Sequence, residues 1–90
     1  MLEDYRQMAL TPLQKRLQFT ADRRSMLEME LILAKYLREK LQNMGDDECL
    51  NLLSLLDQSD ADLFDWVSGV TPIPENIDRN LVKKLAPSAR

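Results

Sequence analysis

Apolar residues recur along the chain at spacings of three and four, the period of an α-helix, and not at the spacing of two that marks a strand. Leucine and methionine together supply 22 residues, whereas valine, isoleucine and threonine together supply nine. Side chains without a branch at Cβ, such as these, favour helix. The sequence therefore predicts an all-α fold, a compact five-helix bundle formed by a single domain over residues 1–90. We expect residues 1–10 to be flexible or to form a short extra helix, and residues 86–90 to form a frayed tail.

The first two helices are marked by residues that favour helix ends. Thr11, which a proline follows, is a good N-cap. The second and longest helix is predicted over residues 26–44, and Gly45 ends it. Its apolar stripe, widened by Leu27, Leu31 and Ile32, covers much of the circumference. We therefore expect this helix to be central and to contact neighbours on more than one side.

Three shorter helices are predicted in the second half of the chain. An acidic run at residues 46–48 suits the positive end of a third helix, whose core stripe includes Cys49. Asp60 is placed to cap a fourth helix that Gly69 ends. The fifth helix is predicted from Glu75 to Leu85, after a stiff segment that contains two prolines.

Residue types that enzymes and metal sites need are scarce in this chain. It has no histidine, one cysteine and two glycines. Catalytic triads, imidazole bases, histidine or multi-cysteine metal sites and glycine-rich phosphate loops all need residues that are missing here. The sequence predicts a protein that is not an enzyme, with no catalytic site, no metal site and no cofactor of its own.

The charge differs in sign between the two halves of the chain. Residues 1–45 hold 8 basic and 6 acidic groups (+2), and residues 46–90 hold 4 and 9 (−5), which gives the net charge of −3. A net-acidic chain is a poor general ligand for nucleic acids and anionic lipids. No run of about 18 apolar residues could span a membrane. The lone Cys49, and an N-terminus without a secretory apolar core, favour a reducing intracellular compartment.

The long helix opens with residues 23–28, Arg-Arg-Ser-Met-Leu-Glu. Ser25 and Glu28 have the spacing of a capping box, in which each side chain accepts a hydrogen bond from a backbone amide near the other. A capping box does not explain two arginines at the positive end of a helix dipole, where a cation costs about 0.3–1 kcal/mol. Two interpretations stay open: a helix cap alone, or a cap whose charged residues also contact a partner.

Three segments together resemble a known family. They are Arg16-Leu17-Gln18-Phe19, then Arg23-Arg24-Ser25-Met26-Leu27-Glu28-Met29-Glu30, then the stretch from Asp60 to Gly69 with Leu63, Phe64 and Trp66. In order and spacing, from about Arg16 through Pro74, the chain resembles the succinate dehydrogenase assembly factor family, the small flavinator proteins. Members of this family are five-helix bundles, in agreement with the helix count above.

The resemblance implies a function and a partner. The chain would be an assembly factor that binds the flavoprotein subunit of succinate dehydrogenase, or of the related fumarate reductase, and promotes covalent FAD attachment to it. FAD and the acceptor histidine would belong to the partner. The assembly factor would act as a chaperone that stabilises the geometry in which flavin and histidine react.

The resemblance also implies which residues bind the partner. The family pattern Arg-Gly-x-x-Glu falls on Arg24, Ser25 and Glu28, so Ser25 departs from the family glycine. Glycine permits a positive φ or a close approach by a partner, whereas serine is an excellent N-cap. Glu28 is expected to orient Arg24 or to meet a donor on the partner. The expected contacts are Arg23, Arg24, Ser25, Met26 and Glu28, with Arg16 and Asp47 at the rim.

Two other functions remain open from the sequence. One is an antitoxin-like protein that sequesters a membrane or cytoskeletal partner. The other is a small helical nucleic-acid-binding module that uses Lys15, Arg16, Arg23 and Arg24, although the acidic second half disfavours it. We expect the free protein to be a monomer without membrane insertion, in a bacterial-type cytoplasm rather than a mitochondrial matrix.

Overall fold

The computed structural model describes residues 10–89, and within that range the chain forms α-helices and short 3₁₀ turns but no strand. The helices are α1 (Pro12–Ala21), α2 (Leu27–Lys40), α3 (Asp46–Leu55), α4 (Asp60–Ser68) and α5 (Arg79–Leu85). One 3₁₀ turn, Leu41–Asn43, follows α2. A second, Ala86–Ala89, follows α5 and packs against α2 and α4, where the sequence predicts a frayed tail. The predicted all-α fold is confirmed.

The predicted start of α1 is confirmed, and the structure adds a contact to it. Thr11 is the N-cap and forms a reciprocal capping box with Gln14, through hydrogen bonds of 3.1 and 2.9 Å. The buried Gln14 amide also donates to the Met44 carbonyl at 2.9 Å, which joins α1 to the segment before α3. Of the predicted N-terminal segment 1–10, residues 1–9 lie outside the described residues, and Leu10 is buried.

The long helix is shorter than predicted at both ends. It begins at Leu27, and its N-cap is Met26, which makes no side-chain capping bond. The predicted capping box between Ser25 and Glu28 is therefore wrong. At the other end the backbone tightens into the 3₁₀ turn at Leu41 rather than continuing as α-helix to residue 44.

The starts of α4 and α5 also differ from the sequence prediction. Ser59, not Asp60, is the N-cap of α4, and its hydroxyl accepts from the Asp62 amide at 3.2 Å. The α5 helix begins only after Asp78, whose carboxylate accepts from the Leu81 amide at 3.1 Å, so the predicted start at Glu75 is wrong. Gly69 ends α4 with φ +81°, in the left-handed region that favours glycine.

The core lies around α2, which packs against α1, α4, α5 and the terminal 3₁₀ turn. The predicted central position of this helix is confirmed. The largest fully buried side chains are Leu17, Met29, Leu33, Leu52, Leu63, Leu85, Val82 and Cys49. Leu27 and Leu31, expected to widen the buried stripe, instead remain 63% and 60% exposed. Among the helices of residues 10–89, none has the length and apolar character to cross a membrane.

Replacing Cys49 by serine is expected to lower the free energy of unfolding by about 1–3 kcal/mol, because a buried hydroxyl loses its hydration. The Cys49 side chain is fully buried in the core. Burial, together with the charges of Asp46 and Glu48, raises the pKa of its thiol, so the thiol stays protonated. Urea unfolding followed by circular dichroism measures the change. Ser54→Ala, at an exposed position of α3, is the control, and an unchanged midpoint for Cys49→Ser would contradict the packing role.

Candidate functional site

The Asp60 carboxylate binds the segment that connects α1 to α2, residues 22–26. Asp60 is the first residue of α4, and its side chain is buried. Its Oδ2 atom accepts from the Ser25 amide at 2.6 Å, from the Ser25 hydroxyl at 3.0 Å and from the Met26 amide at 3.0 Å. One carboxylate oxygen therefore fixes the backbone of two consecutive residues.

The Arg24 guanidinium binds the other oxygen of the same carboxylate. Its Nε lies 2.6 Å and its Nη2 lies 2.5 Å from Oδ1 of Asp60. Nη1 donates to the Leu56 carbonyl at 3.1 Å, and Nη2 to the Gln58 carbonyl at 3.3 Å. Both carbonyls follow the C-terminal end of α3, where the helix dipole favours a cation. Arg24 thus joins the end of α3, the start of α4 and the α1–α2 connection.

Asp60 explains why α2 needs no capping serine. Its carboxylate is an anion at the N-terminal end of α2, where the helix dipole and unpaired amides favour negative charge. The Ser25 hydroxyl, which was expected to accept from an amide of α2, instead donates to this carboxylate. Glu28 is exposed and does not orient Arg24, because Asp60 has that role. The cap is supplied from across the fold rather than from within the segment.

The carboxyl of Asp60 is an anion in the folded protein. Its burial is the largest single effect and by itself would raise the pKa. Hydrogen bonds from Arg24, the Met26 amide and Ser25, together with the Arg24 charge, outweigh burial and lower the pKa of Asp60 below its ordinary value. The Arg24 side chain is 10% exposed and that of Asp60 3%, so the pair is largely shielded from water. Charge-assisted bonds of this kind are among the stronger ones in proteins.

The neighbouring arginine has a different environment. Arg23 is exposed, and its guanidinium carbon lies 4.1 Å from the centroid of the Phe19 ring. This is the geometry of a cation–π contact. Phe19 is itself 59% exposed, so the stacked pair lies at the surface of the protein. The two adjacent arginines therefore differ in role: Arg24 is used inside the fold, and Arg23 faces solvent.

The other predicted site residues lie at several places. Met26 is half-buried and packs against the core, and Glu28 lies in the first turn of α2. Arg16 is exposed on α1, and Asp47 is exposed in the first turn of α3. The structure brings Arg24, Ser25 and Met26 together around Asp60; Arg16, Glu28 and Asp47 are not part of that cluster.

Two residues that the structure brings to this region have no site role predicted from the sequence. The sequence indicates a local helix cap at Asp60, whereas the partners of Asp60 in the structure lie 34 to 36 residues earlier in the chain. The unfavourable placement of two arginines at a helix start was the signal that a nearby anion should exist. Phe19 gave a weaker signal, an aromatic residue four positions before Arg23.

The arrangement consists of hydrogen bonds and one ion pair that order residues 24–26. Among residues 10–89, no group of three or more histidine, cysteine, aspartate or glutamate side chains could hold a metal ion. The Asp60 carboxylate is saturated by donors from within the chain. Residues 23–28 still present three polar side chains to solvent, those of Arg23, Ser25 and Glu28.

Comparison with known proteins identifies relatives of the chain. A family model described as "Flavinator of succinate dehydrogenase" matches residues 15–88. The "FAD assembly factor SdhE" of Acetobacter pasteurianus is 24% identical over 84% of this chain and 70% of its own length. The protein of the same description from Photobacterium profundum is 41% identical over 54% of this chain and 56% of its own length. These matches confirm the family resemblance inferred from the motifs.

A mitochondrial relative also matches. The "Succinate dehydrogenase assembly factor 2, mitochondrial" of Meyerozyma guilliermondii is 29% identical over 83% of this chain, and the chain spans 58% of that protein's length. The relatives are named as assembly factors, which agrees with the predicted assembly role as opposed to an enzymatic one. No solved structure is significantly similar to the chain.

Proposed function

The chain belongs to the family of flavinators of succinate dehydrogenase, and from that membership we propose that it is an assembly factor for a flavoprotein. It binds the flavoprotein subunit of succinate dehydrogenase, or of the related fumarate reductase, and promotes covalent FAD attachment to that subunit. FAD belongs to the partner, and the assembly factor has no cofactor of its own. The protein acts as a monomer when free, in a bacterial-type cytoplasm.

The observation that best supports this function is the largely buried ion pair between Arg24 and Asp60, which holds residues 23–28 to the start of α4. The pair holds the Ser25 and Met26 amides and thereby fixes the backbone of the family motif at the surface. A binding segment that is ordered before it meets its partner loses less conformational entropy on association. Residues 23–28 are therefore suited to recognising a partner, and the proposal requires no chemical step on their side chains.

The mechanism that follows is assistance by binding. In this proposal the residue that becomes bonded to the flavin is a histidine of the partner, since the chain itself has no histidine. The attachment chemistry proceeds within the flavoprotein once its acceptor residue and the flavin ring are held in reactive geometry. An assembly factor that binds this geometry more tightly than others shifts the population of the flavoprotein toward it.

The predicted site residues take distinct roles in this proposal. Arg23, Ser25 and Glu28 are exposed and contact the partner directly, and the half-buried Met26 adds an adaptable apolar contact. Arg24 acts as a positioning residue, because its guanidinium is already bonded to Asp60 and to two backbone carbonyls. At the rim, the exposed side chains of Arg16 and Asp47 complete the expected set.

Glu28→Gln tests the proposed contact without removing the helix start. The Glu28 side chain is exposed and its capping role is excluded, so the variant should melt within a few degrees of wild type. Loss of a charged contact with the partner should lower covalent flavin several-fold. Each variant is co-expressed with the flavoprotein subunit in cells that lack their own assembly factor, and covalent flavin is read by fluorescence in a denaturing gel.

The control for this experiment is Glu39→Gln, an exposed glutamate near the opposite end of α2. It should support as much covalent flavin as wild type. Equal flavin attachment with Glu28→Gln and Glu39→Gln would remove Glu28 from the interface. If wild type itself does not raise the amount of covalent flavin on the flavoprotein of either succinate dehydrogenase or fumarate reductase, the proposed function is wrong.

A further inference from the structure

Two leucines lie on the face of α2 that points away from the core. Leu27 and Leu31 are 63% and 60% exposed and lie one turn apart, about 40° from each other around the helix axis. Met29 and Leu33, fully buried in the core, lie about 200° and 240° around the axis from Leu27. The pole of a helix opposite its buried face normally has polar residues. The side chains of these leucines therefore contribute little to the packing of residues 10–89.

The cation–π pair of Phe19 and Arg23 lies close along the chain to the start of this face. Arg23 is four residues before Leu27 in the connection between α1 and α2, so their Cα atoms are at most about 14 Å apart. The α1 and α2 helices also pack against each other. We call Phe19, Arg23, Leu27 and Leu31 the corner surface. It combines three large apolar side chains, each more than half exposed, with one cation.

The corner surface differs from the other exposed apolar residues of the described chain. Leu50, on α3, and Val70, after α4, are also exposed, at 55% and 70%. No other large apolar side chain on α3 is exposed beside Leu50, and Val70 lies outside the helices, whereas Leu27 and Leu31 form a ridge on one helix. Single exposed apolar residues are common on folded proteins, but contiguous ones mark interaction sites.

We propose that the corner surface docks onto the flavoprotein, against an apolar patch that is bordered by a carboxylate. This proposal rests on the proposed function and extends it beyond the family motif. The surface is continuous with the proposed contact segment, because Arg23 and Leu27 flank Ser25 and Met26 in the chain. Leu27 and Leu31 supply the apolar area, and Arg23 supplies the charge that selects the orientation.

The stacking of Arg23 explains why the partner should offer a carboxylate. The Arg23 guanidinium carbon lies 4.1 Å from the centroid of the Phe19 ring, and a guanidinium in such a contact keeps N–H donors that can pair with the two oxygens of a carboxylate. The ring also restricts the motion of the arginine, so less side-chain entropy is lost on binding. Arg24 cannot serve in the same way, because its donors are already bonded within the chain. Arg23 is thus the arginine that selects the partner.

The test compares Leu27→Gln and Leu31→Gln with Leu50→Gln, a change of the same kind at a leucine of similar exposure. Glutamine keeps helix propensity close to that of leucine. Dissociation constants and dissociation rates are measured for the purified full chain and the flavoprotein subunit. Leu27→Gln and Leu31→Gln should each weaken binding at least tenfold, mostly through faster dissociation, and Leu50→Gln less than twofold. Arg23→Lys keeps the charge but loses the planar set of guanidinium N–H donors, and it should weaken binding about fivefold.

The outcomes separate failure of this inference from failure of the proposed function. If wild type binds the flavoprotein and the Leu27 and Leu31 variants bind as Leu50→Gln does, the docking surface is wrong and the proposed function stands. If wild type does not bind the flavoprotein at all, both are wrong. Sedimentation showing that wild type self-associates through these leucines would assign the surface to a second copy. A melting temperature lowered by Leu27→Gln but not by Leu50→Gln would show that the chain itself covers the ridge; either result overturns the proposal.

Discussion

Asp60→Asn is expected to lower the free energy of unfolding by about 3 kcal/mol or more, because it leaves the Arg24 guanidinium without its countercharge. The Arg24 and Asp60 side chains are 10% and 3% exposed, so water can replace little of the lost interaction. Domains of this size have total stabilities of about 5–15 kcal/mol, and each kcal/mol shifts the melting temperature by about 4–8 °C. The variant should therefore melt more than about 12 °C below wild type. Asp62→Asn, an exposed aspartate in the same turn, is the control.

A double-mutant cycle separates the ion pair from the amide contacts of Asp60. Arg24→Met removes the cation and keeps much of the side-chain volume. In the Arg24→Met background, Asp60→Asn should cost less than in wild type, because no buried cation is then left unpaired. The remaining cost reports the hydrogen bonds from the Ser25 and Met26 amides. If the stability losses of the two single variants add up to that of the double variant within about 0.5 kcal/mol, Arg24 and Asp60 are not coupled.

The pH dependence of the same variant provides an independent check. The pKa of Asp60 is lower in the folded protein than its ordinary value, so the unfolded chain takes up a proton first as the pH falls. The stability that Asp60 contributes is present above the ordinary aspartate pKa of about 3.9 and is lost as the pH falls through the lower, folded value. The difference in stability between wild type and Asp60→Asn should therefore narrow below about pH 4. A difference that stays constant to the lowest pH at which the protein folds would assign the effect to packing.

The features predicted correctly from the sequence depend on contacts between near neighbours. The N-cap at Thr11, the end of α4 at Gly69 and the burial of Cys49 each follow from the residue itself and a few positions around it. Their determinants are side-chain hydrogen bonds to adjacent amides, the low cost of a positive φ for glycine and helical periodicity. Such local rules were sufficient to predict the helices and their order.

The features that the sequence did not predict depend on contacts between distant residues. The pattern Ser-x-x-Glu at Ser25 and Glu28 satisfies the capping-box rule, yet Asp60 provides a stronger acceptor from another helix. A buried carboxylate can satisfy two amides and a guanidinium at once, which a local serine hydroxyl cannot. The sequence likewise shows that Leu27 and Leu31 are apolar positions of α2. It does not show whether another part of the chain covers them. These sites required the tertiary structure.

Ser25→Gly is the second large effect that we expect, and its sign differs between stability and binding. The amide of Ser25 would still donate to Asp60, but the hydroxyl contact at 3.0 Å would be lost. A hydrogen bond to a charged group contributes about 1.5–3 kcal/mol when buried, and Ser25 is exposed, so we expect a loss near 1 kcal/mol. This loss is larger than the few tenths of a kcal/mol by which glycine and serine differ as helix N-caps.

Binding should change in the opposite direction. Within residues 10–89, no residue other than glycine has a positive φ, so the family glycine at position 25 is not required by the backbone of this chain. The remaining reason for glycine is close approach by the partner. Removing the Cβ and hydroxyl should therefore slow dissociation from the flavoprotein and raise covalent flavin per folded molecule several-fold.

Ser25→Ala separates the two effects, because it removes the hydroxyl and keeps the Cβ. It should lose less stability than Ser25→Gly, because both variants lack the bond to Asp60 but glycine also makes the unfolded chain more flexible. It should not gain affinity. Dissociation rates and covalent flavin are measured for both variants, with the flavoprotein subunits of succinate dehydrogenase and fumarate reductase. Faster dissociation with glycine than with serine would show that the partner uses the hydroxyl. Identical binding by the serine, alanine and glycine forms would place position 25 outside the interface and leave the corner surface to account for recognition.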